Sequence, residues 1–185
     1  MKSLENKIPP LIIVVFFLVL IFLLKNLLEV FTFSYQLYTS FFFLCLSISF
    51  FLTGIVEFRK HKTTLNPLMP EESTALVTTG VFKLSRNPIY LSLLNLLIAF
   101  SIYLGSFLGL IITPLFVIYI NLFQIKPEEK AMLKLYGKEF ENYYSKVRRW
   151  DSNPRPLDYQ SKLSHVLKNP KVYTLYFFIM LYSVY

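Results

Sequence analysis

Apolar positions in this chain come in long unbroken runs, with little of the every-third-position spacing of a soluble helix and little strand-like alternation. Four runs, residues 8–24, 38–56, 88–103 and 107–123, are nearly free of charge over the ~17 to 20 residues that a bilayer core requires. A fifth, residues 172–185, is too short for a span. The pattern predicts an all-α integral membrane protein with about four transmembrane helices. No small-residue cleavage site follows the first run, and the next run comes soon after it, so the first is read as a mature span and not a signal peptide.

Composition strengthens this reading. In 185 residues, 55% are hydrophobic and 18% aromatic, more apolar surface than one small soluble core can bury. The net charge of +8 sits at the edges of the runs. Lys2 and Lys7 precede the first; Arg59, Lys60, Lys62, Lys83 and Arg86 lie between the second and third; eleven more, from Lys126 to Lys171, follow the fourth. Lys25 alone falls in the first loop, and the turn at 103–106 has none. Both termini and the middle loop are therefore expected on the cytoplasmic side of the cytoplasmic membrane. Attraction to anionic membrane lipid accounts for the basic balance, and no nucleic-acid partner is expected.

Several kinds of chemistry find no support. Cys45 lies inside the second run and is assigned to packing; His61 and His165 have no carboxylate or cysteine set at ligand spacing, so no metal is expected. Dinucleotide, phosphate-loop and nucleophile-elbow motifs are missing from the sequence, as are internal repeats. Gly105 and Gly109 have the spacing of a helix-packing motif, but YLGSFLG falls between two runs, where a tight turn needs glycine; the turn is the preferred assignment.

Two polar segments carry the candidate chemistry. In GVFKLSRNPIYL, residues 80–91, Asn87 is a helix N-cap candidate, Pro88 suits a first helical position, Arg86 obeys the positive-inside rule and Tyr90 suits an interfacial aromatic belt. The same atoms would also make an anion site, because a helix N-terminus offers unpaired N–H groups beside the Arg86 guanidinium. In KPEEKAMLKLYGKEFENYYSKVRRW, residues 126–150, Pro127 marks a helix start with Glu128 and Glu129 in its first turn. Positions 132, 136, 140, 143 and 147 then recur at helical spacing, predicting a cytoplasmic amphipathic C-terminal helix against the membrane face or the bundle. The short hairpin between the third and fourth runs makes the Glu pair a neighbour of Arg86. Opposite charges at one membrane edge fit a zwitterionic ligand. S-adenosylmethionine has the required groups, although charge alone does not select it.

LVTTGVFKLSRNPIYL, followed after two spans by EEKAMLKLYGKEFENYYSKVRRW, resembles the isoprenylcysteine carboxyl methyltransferase family over about residues 58–150. The resemblance implies an S-adenosylmethionine-dependent membrane methyltransferase. Its cofactor pocket would be formed by Gly80, Arg86, Asn87, Pro88 and Tyr90 from one side and by Glu128 and Glu129 from the other, with Arg86 and Asn87 nearest the chemistry. Asn87 stands where the family often has His; an amide cannot serve as a proton-transfer base, and no residue of the two motifs is an evident one. An anionic or lipid-like, lipophilic acceptor entering from the bilayer follows.

TTLNPLMP, residues 63–70, resembles the preceding loop of bacterial members, with Thr63, Thr64, Asn66 and Pro67 as pocket-mouth candidates. The organisation expected is an N-terminal transmembrane hairpin at 1–57, a methyltransferase core at 58–150 and a tail at 151–185. Pro154 and Pro156 interrupt that tail, whose DSNPRPLDYQS resembles a conceptual translation of a transfer-RNA gene. An NADPH-dependent reductase of the sterol reductase type and a non-enzymatic membrane scaffold are the alternatives.

Overall fold

A computed structural model of the chain describes residues 8–63 and 69–150. Thr64, Asn66, Pro67, Lys2, Lys7 and the tail at 151–185 lie outside the described residues. Among those described, regular structure is helical: α1 Pro10–Leu24, α2 Gln36–Lys60, α3 Pro88–Tyr103, α4 Phe107–Ile120, α5 Lys126–Tyr136 and α6 Lys138–Trp150. Prolines open α1 and α3, where a missing N–H leaves no bond unmade, and Pro127 is the second residue of α5. The N-terminus of α4 is capped by Ser106, whose Oγ accepts from the Gly109 N–H at 3.0 Å.

Two helices are long and apolar enough to cross a membrane. One is α2. The other runs from Phe107 to Tyr136, because a wider π turn at Asn121–Ile125 joins α4 to α5 without a break. At 1.5 Å per residue they measure about 37 and 45 Å, beyond the ~30 Å of a hydrocarbon core. The apolar helices α1 and α3 have 15 and 16 residues and fall short of that thickness alone. What is established is thus an all-helical arrangement with two spanning candidates, compatible with a membrane protein, and the count of four spans rests on α1 and α3.

The burial pattern is compatible with a chain in lipid. Leu11, Phe16 and Leu23 on α1, Phe41, Phe42 and Leu52 on α2 and Ile111 and Ile118 on α4 face outward, whereas Ser92, Asn95, Ser101 and Thr113 are inside. A seam of small residues spaced by seven joins α2 to α3. Ser40 and Ser47 donate to the carbonyls of Ala99 and Ser92, each at 2.8 Å, and Gly54 lets α2 approach Ile89 and Pro88. Ile13, Phe17 and Ile21 of α1 fill the core against α3 and α4, with Phe17 edge-on to Phe116 at 5.5 Å.

The loops after α1 and α3 meet at one end: the Phe31 N–H donates to the Gly105 carbonyl at 2.8 Å, and Gln36 Nε2 to that of Ile102 at 2.8 Å. Gly105, with φ +64°, makes the expected turn. Gly109 does not belong to that turn. It sits in α4, where a Cβ would fall 2.7 Å from Ser101 Oγ and 2.9 Å from Ile21, so it is a close-packing position after all. At the opposite end, Gln124 in the π turn donates to the Ile8 carbonyl at 2.8 Å, tying the start of α1 to the base of α5.

One amphipathic helix from 126 to 150 is not what forms. Gly137, with φ +49°, ends α5, and α6 starts afresh at Lys138. The predicted apolar face is real. Phe140, Tyr143 and Val147 pack on Val77, Val81 and Phe82 with Met132 and Tyr136 alongside, so this face covers the protein's own middle loop and not the membrane.

Candidate active site

The two polar segments meet at the end of the bundle away from the Val30–Ser106 bridge. Arg86 precedes α3, and its Nη1 donates to Glu129 Oε1 in the first turn of α5. In the first turn of α3, the Tyr90 hydroxyl donates to Glu128 Oε1. A pair of acids in a first helical turn therefore meets a pair of donors at another helix start. The Arg86 guanidinium also lies 4.2 Å from the centroid of the Tyr144 ring, a cation–π contact supplied by α6.

Arg86, Tyr90, Glu128 and Glu129 line a cleft of about 180 Å³. Arg86, Asn87, Pro88, Tyr90, Glu128 and Glu129 form its polar side; Phe58, Leu76, Val77, Met132 and Phe140 form its apolar side, and Pro10 of α1 reaches its edge. Six of the seven residues named from sequence are thus brought together. Gly80 is not among the lining residues; it lies behind the cleft against Glu57. Thr63 serves the middle loop, accepting from the Thr74 N–H at 3.1 Å.

Asn87 precedes α3 but its side chain makes no capping hydrogen bond. Its backbone N–H donates instead to Ser85 Oγ at 3.2 Å, leaving the amide directed elsewhere. Asn87 Nδ2 and Arg86 Nε are buried donors without a protein partner. Unsatisfied buried donors cost free energy, and two beside one another at a helix N-terminus are suited to an anionic group such as a carboxylate.

Glu128 lies beyond the apolar stretch that ends at Phe123. The residue as a whole is only half-buried, but its carboxyl is enclosed in the cleft. Burial pushes its pKa up to about 8, against the Tyr90 hydrogen bond, with the neighbouring Glu129 charge adding to the rise. A carboxyl so raised keeps its proton at neutral pH in the unliganded cleft, a property invisible in the motif itself. Burial likewise pushes the Tyr143 phenol up, keeping it a neutral donor to the Phe82 carbonyl at 2.8 Å.

Sequence reasoning missed Glu57, Phe58, Tyr143 and Tyr144. Only the apolar spacing of Phe140, Tyr143 and Val147 hinted at any of them. Ser73 was also missed; it is held by the Tyr136 hydroxyl, which donates to its carbonyl at 2.9 Å and draws the middle loop over the cleft.

The family model of phospholipid methyltransferases matches residues 35–139, a range holding Arg86, Asn87, Pro88, Tyr90, Glu128 and Glu129. An uncharacterized protein of Haemophilus influenzae is 43% identical over 61 residues, which cover 33% of this chain and 97% of that protein. No solved structure matches the chain.

Proposed function

Since this chain belongs to the phospholipid methyltransferase family, part of the isoprenylcysteine carboxyl methyltransferase-like group of membrane methyltransferases, we propose that it transfers a methyl group from S-adenosylmethionine to a lipophilic acceptor. The observation that carries the cofactor assignment is the pairing of Arg86 with Glu129 and Tyr90 with Glu128 around two unsatisfied buried donors, Arg86 Nε and Asn87 Nδ2.

The residues present fit that cofactor. Asn87 Nδ2 and Arg86 Nε would hold its carboxylate, Glu128 and Glu129 its ammonium and ribose hydroxyls, and the apolar walls at Val77, Met132 and Phe140 its adenine. When bound, it supplies a methyl group on a cationic sulfur, open to in-line displacement. The chain's own contribution is positioning and exclusion of water. Arg86 is fixed by Glu129 and Tyr144, so it can orient an anion without rearranging. Asn87 donates and does not move a proton. An acceptor that is already anionic requires no base.

The outward apolar faces of α1 and α2 support an acceptor that arrives through lipid, a prenylated carboxylate, a phospholipid or a small amphiphile. Four spans, with both termini and the cleft on the cytoplasmic side, follow from the placement of Lys and Arg. The test is transfer of labelled methyl from S-adenosylmethionine by the purified protein in lipid vesicles, with a prenylcysteine, an aminophospholipid and a water-soluble amine offered separately. Label in a lipophilic acceptor supports the proposal. Equal turnover of the soluble amine without lipid contradicts the route through the bilayer, and label in none contradicts the activity.

A further inference from the structure

Gly80 was singled out by its motif, yet it stays outside the cleft, and the reason lies in a residue no motif pointed to. Glu57, 7% exposed, is one turn from the end of α2. Its carboxylate occupies the space where a residue-80 side chain would go: a Cβ on Gly80 would lie 2.5 Å from Glu57 Cδ and 2.6 Å from Oε1. With φ +58°, Gly80 is also in a conformation that L side chains rarely adopt. Next to it, Thr79 Oγ1 donates to Glu57 Oε2 at 2.5 Å.

The groups facing Glu57 complete the bracket. Lys60 Nζ donates to Oε1 at 2.8 Å from a largely exposed side chain. His61 Nδ1 donates to the Glu57 carbonyl at 2.9 Å, and its Nε2 lies 3.5 Å from Thr79 Oγ1. A tight turn, Gly80–Lys83, starts at this bracket and is held further on by Phe82, which is edge-on to Phe58 at 5.2 Å and accepts from Tyr143 at its carbonyl. Three residues after the turn comes Arg86.

We propose that Glu57 is a positioning residue: by clasping Thr79 and Gly80 it fixes the segment from 79 to 87 against the end of α2, and so sets the Arg86 guanidinium and Asn87 amide in register with Glu128 and Glu129. The link to ligand binding rests on the methyltransferase reading; the clasp itself does not. Thr79→Val removes the donor at nearly constant shape, Thr79→Ser keeps it, and Glu57→Gln keeps an acceptor for Thr79 while Glu57→Ala removes it.

The test combines hydrogen exchange of residues 79–87 with titration of S-adenosylmethionine, on the full chain in detergent. Thr79→Val and Glu57→Ala should speed exchange in 79–87 about tenfold and weaken binding about tenfold, with the α3 and α4 core unchanged, while Thr79→Ser and Glu57→Gln stay near wild type. If Glu57→Ala does not fold, Thr79→Val alone decides. Exchange in 79–87 unaltered by Thr79→Val overturns the clasp. Exchange that responds in a protein that binds no S-adenosylmethionine upholds the clasp and removes the methyltransferase reading instead.

Discussion

Arg86 and Glu129, separated by 43 positions of chain, form an ion pair that joins the start of α3 to the first turn of α5. Their side chains are 11% and 25% exposed, so the pair is neither a solvated surface bridge nor a fully desolvated one. It leaves Arg86 Nε buried and available. Arg86→Ala and Glu129→Ala should each weaken S-adenosylmethionine binding by about 10- to 100-fold, as expected for charge-assisted contacts. The double variant should lose less than the sum in free energy, because the two side chains act together. Arg86→Lys should not restore affinity, since an ammonium cannot reproduce the guanidinium fork. Calorimetric titration of wild type and these four variants checks this.

Tyr144 holds the same guanidinium from the other side, 4.2 Å from its ring centroid. Tyr144→Phe keeps the ring face and should bind as wild type. Tyr144→Ala should lose about 3- to 10-fold in affinity, in proportion to a partly desolvated cation–π contact. Equal affinities of the alanine and phenylalanine variants would show that the ring does not orient Arg86.

The Glu128 carboxyl predicts a pH dependence with a definite sign. Its pKa rises from the ordinary 4.5 to about 8 in the folded protein. The folded state therefore holds a proton that the unfolded chain releases, and the associated stability is complete below about pH 4.5 and lost as pH climbs towards 8. Glu128→Gln should lack this decline in thermal unfolding followed across that range. A cation bound to the ionised carboxylate must expel the proton, so at pH 7 binding should release it. Titration in two buffers of different ionisation enthalpy should detect the release in wild type and not in Glu128→Gln.

Gly109→Ala should destabilise more than its small size suggests. The added methyl meets Ser101 Oγ and Ile21 at 2.7 and 2.9 Å, in a place where α1, α3 and α4 converge. A loss of about 1 to 3 kcal/mol is expected for overpacking of this kind, with ligand affinity unchanged in the molecules that remain folded. Thermal unfolding in detergent measures it, and an unchanged midpoint would mean that the helices part at no cost.

Much of this arrangement was legible because local chemistry and function coincide in it. Pro88 and Pro127 mark helix starts, and the residues beside them, Arg86, Asn87, Glu128 and Glu129, stand at those starts for reasons a sequence displays. The helix ends were less clear. The π turn at Asn121–Ile125 keeps α4 and α5 continuous although Pro127 advertises a new helix, and Gly137 divides a segment whose apolar period runs straight through it. Glu57 was hidden for a different reason. At the end of an apolar helix beside Arg59 and Lys60 it looks like a solvated terminal charge, and only its contact with Thr79, 22 positions away, gives it a place. Tyr144 was equally silent, since an aromatic residue on an amphipathic helix says nothing of which cation it covers.

The central claim is that this cleft binds S-adenosylmethionine. Titration of that compound into the detergent-purified protein, alongside folded Arg86→Ala and Glu129→Ala variants, tests it most directly. Saturable binding in wild type that both variants weaken at least tenfold is the predicted result. No binding to wild type in detergent and in lipid, or binding that neither variant disturbs, would contradict it and leave the Arg86–Glu129 pair as a structural fastening between two helices.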